Sequence, residues 1–467
     1  MKLLHSLKEA IQQSGLKDGM VISFHHHLRN GDHVLNMVME QIASMGIGDL
    51  TINASAIQDV HEPLIQHIKN GVVSGLETNY MAPTVGRTIA EGILPRPLLF
   101  RTHGGRPSDI ERGDSQIDVA FIAAPASDPM GNCTGKLGKS ACGSLGYAFA
   151  DARHARKVVV ITDHLVSYPL TERSISEADV DYVVQVESIG DPAGIVSGTT
   201  RMPKDPVALK IAEYGAKLIE GSGYLKDGFN FQTGAGGAPL AIARFLKEIM
   251  LQKQIRGGFA LGGVTGYLVD MLKEGCFQAI QDVQCFDLHA VESIRSNPAH
   301  CEITASEYAG TNAKSCAADE LDIVVLGAAQ IDREFNVNVH TDSNGRIIGG
   351  SGGHSDVAAR AKMTVVAAPL NRARISTLVP RVLTRTTPGS SVDVFLSQYG
   401  AVIHPRRADL QERLKKSKIP MFSMEELLRI SEKLNGRAEE ITLDKSRVIA
   451  EVRYFDGSTI DRIYARG

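Results

Sequence analysis

Asn230-Phe231-Gln232-Thr233-Gly234-Ala235-Gly236-Gly237-Ala238-Pro239 is the stretch on which the fold turns. Gly228 to Gln232 reads as a short approach strand, and the glycines form a bend. Pro239 stands where a helix begins, a place where its missing N–H is not needed. Ile242, Phe245, Leu246, Ile249 and Met250 follow at helical spacing, with Arg244, Lys247 and Glu248 on the other side. A strand, a glycine bend and a helix N-terminus present free backbone N–H groups at the positive end of a helix dipole. Such a device holds a phosphate or stabilises an oxyanion. The same glycines also fit a tight turn that only needs positive φ. These residues alone leave both readings open.

Outward from this bend, strands and helices alternate in both directions. Met20 to Phe24 reads as a strand running into His25-His26-His27-Leu28-Arg29, Leu98 to Arg101 as one ending on Thr102-His103-Gly104-Gly105-Arg106, and Asp118 to Ala124 as a strand buried on both faces. Helices are expected over Glu62 to Lys69, Val85 to Ile93, Ser140 to Asp151 and Pro206 to Glu220. Beyond the bend, Phe259 to Leu261, Leu321 to Leu326, Met363 to Ala368 and Val392 to Leu396 read as strands. Gly349-Gly350-Ser351-Gly352-Gly353-His354-Ser355-Asp356 is a second glycine-rich loop entering a helix, and a hairpin across Asp456-Gly457 ends the chain. This alternation predicts an α/β fold with mostly parallel sheets. Gly221-Ser222-Gly223 reads as a joint between two domains, 1–222 and 223–467.

The bulk numbers bound the class. The 467 residues suffice for two or three domains, and 43% hydrophobic with 22% charged residues is an ordinary globular balance. A net charge of −3 gives no support to a nucleic-acid or anionic-membrane partner. No apolar run approaches the roughly 20 residues of a membrane span, and Lys8 and Glu9 interrupt any signal core, so the expected location is cytoplasmic. The six cysteines form no C-x-x-C pair and read as reduced thiols.

Ligands of parallel α/β sheets sit at the C-terminal ends of strands. Four loops qualify: His25 to Asp32, Thr102 to Arg106, Thr233 to Gly237 and Gly349 to Asp356. Three consecutive histidines invite a metal. Adjacent residues of an extended segment point to opposite faces, however, and no nearby group completes a ligand set, so a ligand-contacting polar loop is preferred and no metal is expected. Cys133 and Cys142 read as structural thiols. Arg29, Arg101, Arg106 and Arg201 lie near loop ends, where each fits a bidentate carboxylate clamp or an ordinary ion pair.

Taken as a set, Ser23-Phe24-His25-His26, Ser127-Asp128 with Gly131-Asn132, Ala141 to Ala148, Gln232-Thr233-Gly234 with Gly236-Gly237, Phe259-Ala260-Leu261-Gly262-Gly263, Phe335 to Val339 and Gly349 to Asp356 resemble the citrate lyase α-chain family across nearly the whole chain. The glycine bend and Ser351 to Asp356 more distantly resemble the wider acyl-CoA transferase superfamily. The resemblance implies two tandem CoA-transferase-type domains, each a mostly parallel sheet flanked by helices. It implies an enzyme that exchanges acetate for citrate on an acetyl thioester, carried by the phosphopantetheine arm of an acyl carrier protein or by acetyl-CoA. A separate β chain then cleaves the citryl thioester to oxaloacetate and acetyl thioester. The carrier and β chains are the implied partners, with contacts between α chains in the complex.

On that footing, the N–H groups at Thr233, Gly234, Gly236 and Gly237 are the expected oxyanion donors. His25, His26, Arg29, His103 and Arg106 are expected to hold the acid or the arm. The glycine pairs Gly262-Gly263 and Gly352-Gly353, with His354, are expected to border the thioester. Many superfamily members use a glutamate nucleophile in the second domain. The corresponding stretch here, Phe259 to Gly266, holds no carboxylate, which implies direct transfer through a mixed anhydride. The rival readings are the same chemistry on citramalate or another small acid, a free-standing acyl-CoA transferase, and a non-catalytic ligand sensor. The last lacks the basic recognition helix such sensors bring.

Overall fold

The computed structural model describes residues 2–196, 203–234, 236–437 and 441–467. Two open sheets organise them. The first has ten strands: β1 (Leu3–Leu4), β2 (Val21–Phe24), β3 (Leu50–Ala54), β4 (Val73–Thr78), β5 (Leu98–Phe100), β6 (Val119–Ala123), β7 (Lys157–Thr162), β8 (Tyr182–Gln185), and, from the far end of the chain, β17 (Leu443–Arg453) and β18 (Thr459–Arg466). The second has eight: β9 (Phe231–Thr233), β10 (Gly257–Val264), β11 (Phe277–Cys285), β12 (His300–Glu302), β13 (Ile323–Leu326), β14 (Met363–Ala367), β15 (Val394–Leu396) and β16 (Ala401–Ile403). The first sheet runs β1-β8-β7-β6-β2-β3-β4-β5-β17-β18 and the second β12-β11-β10-β9-β13-β14-β15-β16. All pairs within them are parallel except β17–β18 and β15–β16. Central strands such as Val119–Ala123, Ile323–Leu326 and Met363–Ala367 are buried throughout, so both faces are covered by helices.

The division of the chain differs from the sequence expectation in two ways. The helix Pro206–Gly221 packs on the helix Gly237–Lys253: a Cβ on Gly215 would stand 2.5 Å from Ile242 Cδ1, so the glycine is what lets the two approach. That helix therefore belongs to the second domain, and the joint falls before it rather than at Gly221-Ser222-Gly223. The C-terminal hairpin returns to the first sheet, where β17 pairs in parallel with β5. Without it β5 would be an open edge offering unpaired backbone groups. The first domain is thus closed by the last residues of the chain.

Several element bounds also move. The expected helix over Ser140 to Asp151 is confined to Phe149–His154; residues 140–148 form an irregular loop in which Gly143 has φ +85° and abuts Cys285 of the second domain. The helix expected over Val85 to Ile93 is Pro83–Ile89, with Pro83 in its first turn and no room to continue past Gly92 at φ +82°. The strand at Phe259 to Leu261 is longer, Gly257–Val264, and slips register against β11 at Gly262/Gly263. None of the helices among the described residues is long and apolar enough to cross a membrane.

Candidate active site

The C-terminal edges of the two sheets face each other, and buried polar groups gather where they meet. From the first sheet, β2 delivers His25-His26-His27, β3 delivers Ser55, β4 delivers Asn79 and β5 delivers Thr102-His103. His26 Nδ1 pairs with Ser55 Oγ at 2.6 Å, and Asn79 Nδ2 donates to His103 Nδ1 at 3.0 Å. Each imidazole is thereby anchored through one nitrogen. No hydrogen bond commits the Nε2 atom of either ring among the described residues. Tyr147, from the irregular loop, lies between them with ring centroids 4.9 Å from His26 and 4.5 Å from His103. Its hydroxyl has no hydrogen-bond partner among the described residues. Arg29 rests its guanidinium 4.5 Å over the Phe286 ring and interacts with Tyr80 and Tyr147.

The second domain closes the site. Gln284, on β11, donates its amide to the His26 carbonyl at 2.9 Å. Gln232, on β9, donates to Tyr308 Oη at 3.0 Å, while its own Oε1 is buried without a partner. The loop Gly349 to Asp356 lies against His103: its Gly352 carbonyl accepts the His103 N–H at 2.9 Å. Asp356 accepts from Thr102 Oγ1 at 2.6 Å and from the Gly104 N–H at 3.0 Å. A side chain on Gly353 would put its Cβ 2.2 Å from Tyr308 Oη, and one on Gly263 would meet the Phe286 ring at 2.2 Å. These glycines make room for the rings that shape the site.

Burial sets the charge of this space. Desolvation holds His26 and His27 well below the usual histidine range and lowers His103 to about 3 and His25 to about 4. Near neutral pH these imidazoles are uncharged donors and acceptors. Arg29 supplies the positive charge, with its own pKa lowered by burial. Burial raises the Tyr147 phenol, so it stays a neutral hydroxyl, and raises the Asp356 carboxyl to about 6. Such an arrangement suits an anionic ligand with several oxygens: one guanidinium, two imidazoles and a hydroxyl.

Not every expected residue joins it. Arg106 is 2% exposed; its Nε donates to Asn53 Oδ1 at 2.6 Å and its Nη1 stands 2.8 Å from Asp151 Oδ1. Its fork is spent inside the first domain, and the expected role in holding the acid does not fit. Arg101 is likewise paired, with Glu77 and Asp109. Arg201 lies outside the described residues. His354 has both nitrogens engaged, Nδ1 with Thr387 Oγ1 at 2.8 Å and Nε2 with the Gly327 carbonyl at 2.9 Å, so it braces its loop instead of offering a free nitrogen. His25 and His27 touch through their Nδ1 atoms, as alternation along an extended segment requires, while His26 turns to Tyr147.

The glycine bend divides in the same way. The Gly234 N–H donates to the Val325 carbonyl at 2.8 Å, so it is not a free donor, while Thr233 lies within β9 and turns its hydroxyl to the Gly234 carbonyl at 3.3 Å. The helix beginning at Gly237 has no side-chain cap at Gly236, and Gly237 has φ +63°. Among the described residues, the N–H groups of Gly236 and Gly237 have no hydrogen-bond acceptor, and both follow β9, which carries Gln232. Gly262 at φ +111° lies against the Gln232 amide, 3.0 Å from where its Cβ would be.

Sequence reasoning passed over Tyr147, Asn79, Gln232, Gln284 and Tyr308 as site residues. For Asn79, Gln232 and Gln284 the available signal was polarity at or near the ends of otherwise apolar strands; Tyr147, in the irregular loop, and Tyr308, on the helix Ala305–Ala309, carried no such signal. Cys133 and Cys142 are 0% and 1% exposed, and burial pushes both thiols up. Among the described residues, the grouping with metal-ligand atoms is Asp282, Cys285 and His300, all buried. It closes on itself, since Cys285 Sγ and His300 Nε2 each lie 3.0 Å from Asp282 Oδ2.

Comparison with known proteins meets this geometry. The family described as citrate lyase, alpha subunit, matches residues 1–465. The citrate lyase alpha chain of Haemophilus influenzae is 46% identical over 463 residues, covering 99% of this chain and 92% of that one. That of Klebsiella pneumoniae is 46% identical over 462 residues, covering 99% and 91%. A crystal structure from Streptococcus mutans, assigned as a citrate lyase alpha subunit in complex with citrate, superposes with a TM-score of 0.97 at 49% identity, covering 100% of this chain and 91% of that one. The alpha subunit of a malonate decarboxylase from Acinetobacter baumannii shares the fold, with a TM-score of 0.67 at 15% identity over 88% of this chain and 82% of that one.

Proposed function

This chain belongs to the citrate lyase alpha-subunit family, and from that premise we propose that the space between His26, His103, Tyr147 and Arg29 binds citrate for direct acyl transfer. The chain is the acyl-transferase subunit of citrate lyase. Its acceptor is citrate and its donor an acetyl thioester, on the phosphopantetheine arm of an acyl carrier protein or on CoA. A β chain cleaves the product. The observation that carries the reading is the pairing of one guanidinium with uncommitted imidazole nitrogens and a phenol at the mouth shared by the two sheets.

A citrate carboxylate oxygen attacks the acetyl thioester carbonyl, and the N–H groups at Gly236 and Gly237 receive the oxyanion. Collapse expels the arm's thiolate and leaves an acetyl–citryl anhydride. The thiolate then attacks the citryl carbonyl, expelling acetate and forming the citryl thioester. No proton need be moved by the protein, which fits imidazoles held neutral. Carboxylates near the site are already engaged: Asp356 by Thr102 and Gly104, and Asp282 by Cys285 and His300. None of them is placed as a free nucleophile, so the enzyme works by proximity and by electrostatics.

The test is a transfer assay of the chain with acetyl-CoA and separate citrate, citramalate and malate acceptors, with products read by mass spectrometry. Citryl-CoA is the expected product, with intersecting initial-rate lines and no borohydride-trapped adduct on the protein. Parallel lines with a trapped carboxyl thioester would overturn the direct route. Citramalyl-CoA as the main product would overturn citrate as the acceptor. If acetyl-CoA gives no product, repetition with an acetylated carrier protein decides whether the carrier arm is obligatory.

A further inference from the structure

Two adjoining clefts, each about 290 Å³, open where the C-terminal hairpin passes the helix Pro83–Ile89. One is lined by Arg87, Arg346, Arg447 and Arg466, with Tyr464 and a single acid, Glu91. The other is of mixed polarity, with Leu94, Pro95, Pro97 and Ile449 in its wall beside Ser446 and Arg447. Arg447 lines both, so the two make one groove with a cationic end and an end of mixed polarity.

The groove lies away from the transfer site. β17 pairs with β5 from Ala450 opposite Leu98, the first residue of β5. Arg447 precedes that pair by three positions and stands off the N-terminal edge of the sheet. His26 and His103 leave the C-terminal edge of the same sheet.

All four guanidinium groups are exposed, so water and salt screen their repulsion, yet their gathering around one cleft gives it a positive potential that favours an anion. None of the four makes a salt bridge or a side-chain hydrogen bond among the described residues. Two described acids near them in sequence are turned to other work: Asp342 Oδ1 accepts from the N–H groups of Asn344 and Arg346, and Asp444 Oδ1 is held by Ser446, which leaves Glu91 as the one acid lining that cleft among the described residues. Guanidinium forks match phosphate oxygens in pairs. Pro95, Pro97, Leu94 and Ile449 beside them offer apolar side chains that a nucleobase can cover.

We propose that this groove is a second ligand site, taking a nucleoside 5′-diphosphate group with its phosphates on the arginines and its base on these apolar side chains. That chemistry has two sources, a free nucleotide or the nucleotide end of a CoA thioester. Isothermal titration of the full chain with ADP, inorganic pyrophosphate and adenosine tests it. ADP should bind at one site, more tightly than pyrophosphate, with adenosine weakest. Arg447→Gln with Arg466→Gln should weaken ADP at least about tenfold, and Arg346→Gln alone, on a turn outside both sheets, should weaken it less. Arg374→Gln, at an exposed hairpin elsewhere, should leave it unchanged. Acetyl-CoA competing with ADP, together with a raised KM for acetyl-CoA in the double variant, assigns the groove to the thioester's nucleotide; ADP binding without either effect assigns it to a free nucleotide. ADP affinity unchanged in both arginine variants overturns the proposal. So does binding of poly-glutamate with no binding of ADP, which would make the arginines a docking face for an acidic protein.

Discussion

Arg29 carries the clearest signature of function among the site residues. Its φ is +52°, a left-handed value that a non-glycine residue adopts only at some cost, and its side chain is desolvated over Phe286. Stability alone would favour glycine or asparagine here. Arg29→Gln keeps much of the volume and removes the charge. The expected result is a rise of about 10–100-fold in KM for citrate, from the loss of one charge-assisted interaction, with a melting temperature close to that of the parent. Tyr147→Phe separates hydroxyl from ring. The stack on His26 and His103 survives and the hydroxyl does not, so kcat/KM for citrate should fall about tenfold while near-ultraviolet dichroism stays unchanged. An unaltered kcat/KM would remove the hydroxyl from the site. The histidines, Arg29 and the glycines were legible in the sequence because each stands at the end of a strand. Arg106 was misleading for the same reason: it follows a strand too, but Asp151, 45 positions later, draws its fork into the first domain. Nothing in local sequence announces a pairing of that range.

At the scale of elements, the Gly349 to Asp356 loop does for the second domain what His103 does for the first. Asp356 is buried, yet it receives two donors from the Thr102 to Gly104 turn, 2.6 and 3.0 Å away. Asp356→Ala leaves both donors unpaired in the interior. The expected cost is about 2–5 kcal/mol in urea unfolding, accompanied by loss of transfer activity because His103 is set by the same turn. A loss of activity without a stability cost would point to direct contact with substrate. The sequence disclosed this loop as glycine-rich and helix-entering, and the glycine bend at Gly234 to Gly237 likewise. It did not disclose that the Gly234 N–H is consumed by Val325, because the partner strand β13 comes some ninety residues later. The helix expected from Ser140 failed for a different reason. Gly143 and Gly146 sit where a side chain would strike Cys285 and Val283 of the second domain, and packing across the domains overrides local helix preference.

For the molecule as a whole, alternation of strand and helix foretold two parallel sheets, while the pattern carried no trace of the hairpin's return to the first one. That crossing depends on which edge is open, a property of the assembled sheet. The meeting of two sheet edges also explains why so many titratable groups are buried, and it makes an expectation about pH. Burial lowers His25 and His354 to about 4 and His103 and His340 to about 3. The unfolded chain takes up protons on these residues as pH falls below about 6.5, and the folded chain resists until pH 3–4. Their contribution to stability is therefore complete above pH 6.5 and is lost as the pH falls towards 4. Asp356 acts in the opposite sense. Its folded pKa of about 6 exceeds the usual carboxylate value, so its contribution diminishes as pH rises from about 4 to 6. Burial raises the Asp151 carboxyl in the same sense, and these two carboxyls set against four imidazoles leave the imidazoles in control, at about 1.4 kcal/mol per histidine for each pH unit below their unfolded pKa. Thermal midpoints measured by circular dichroism at constant ionic strength should hold near pH 7.5 and fall steeply from 6.5 to 4.5. A flat or rising profile across that interval would mean that the histidines at the domain junction titrate freely, and that the two sheets do not close over them.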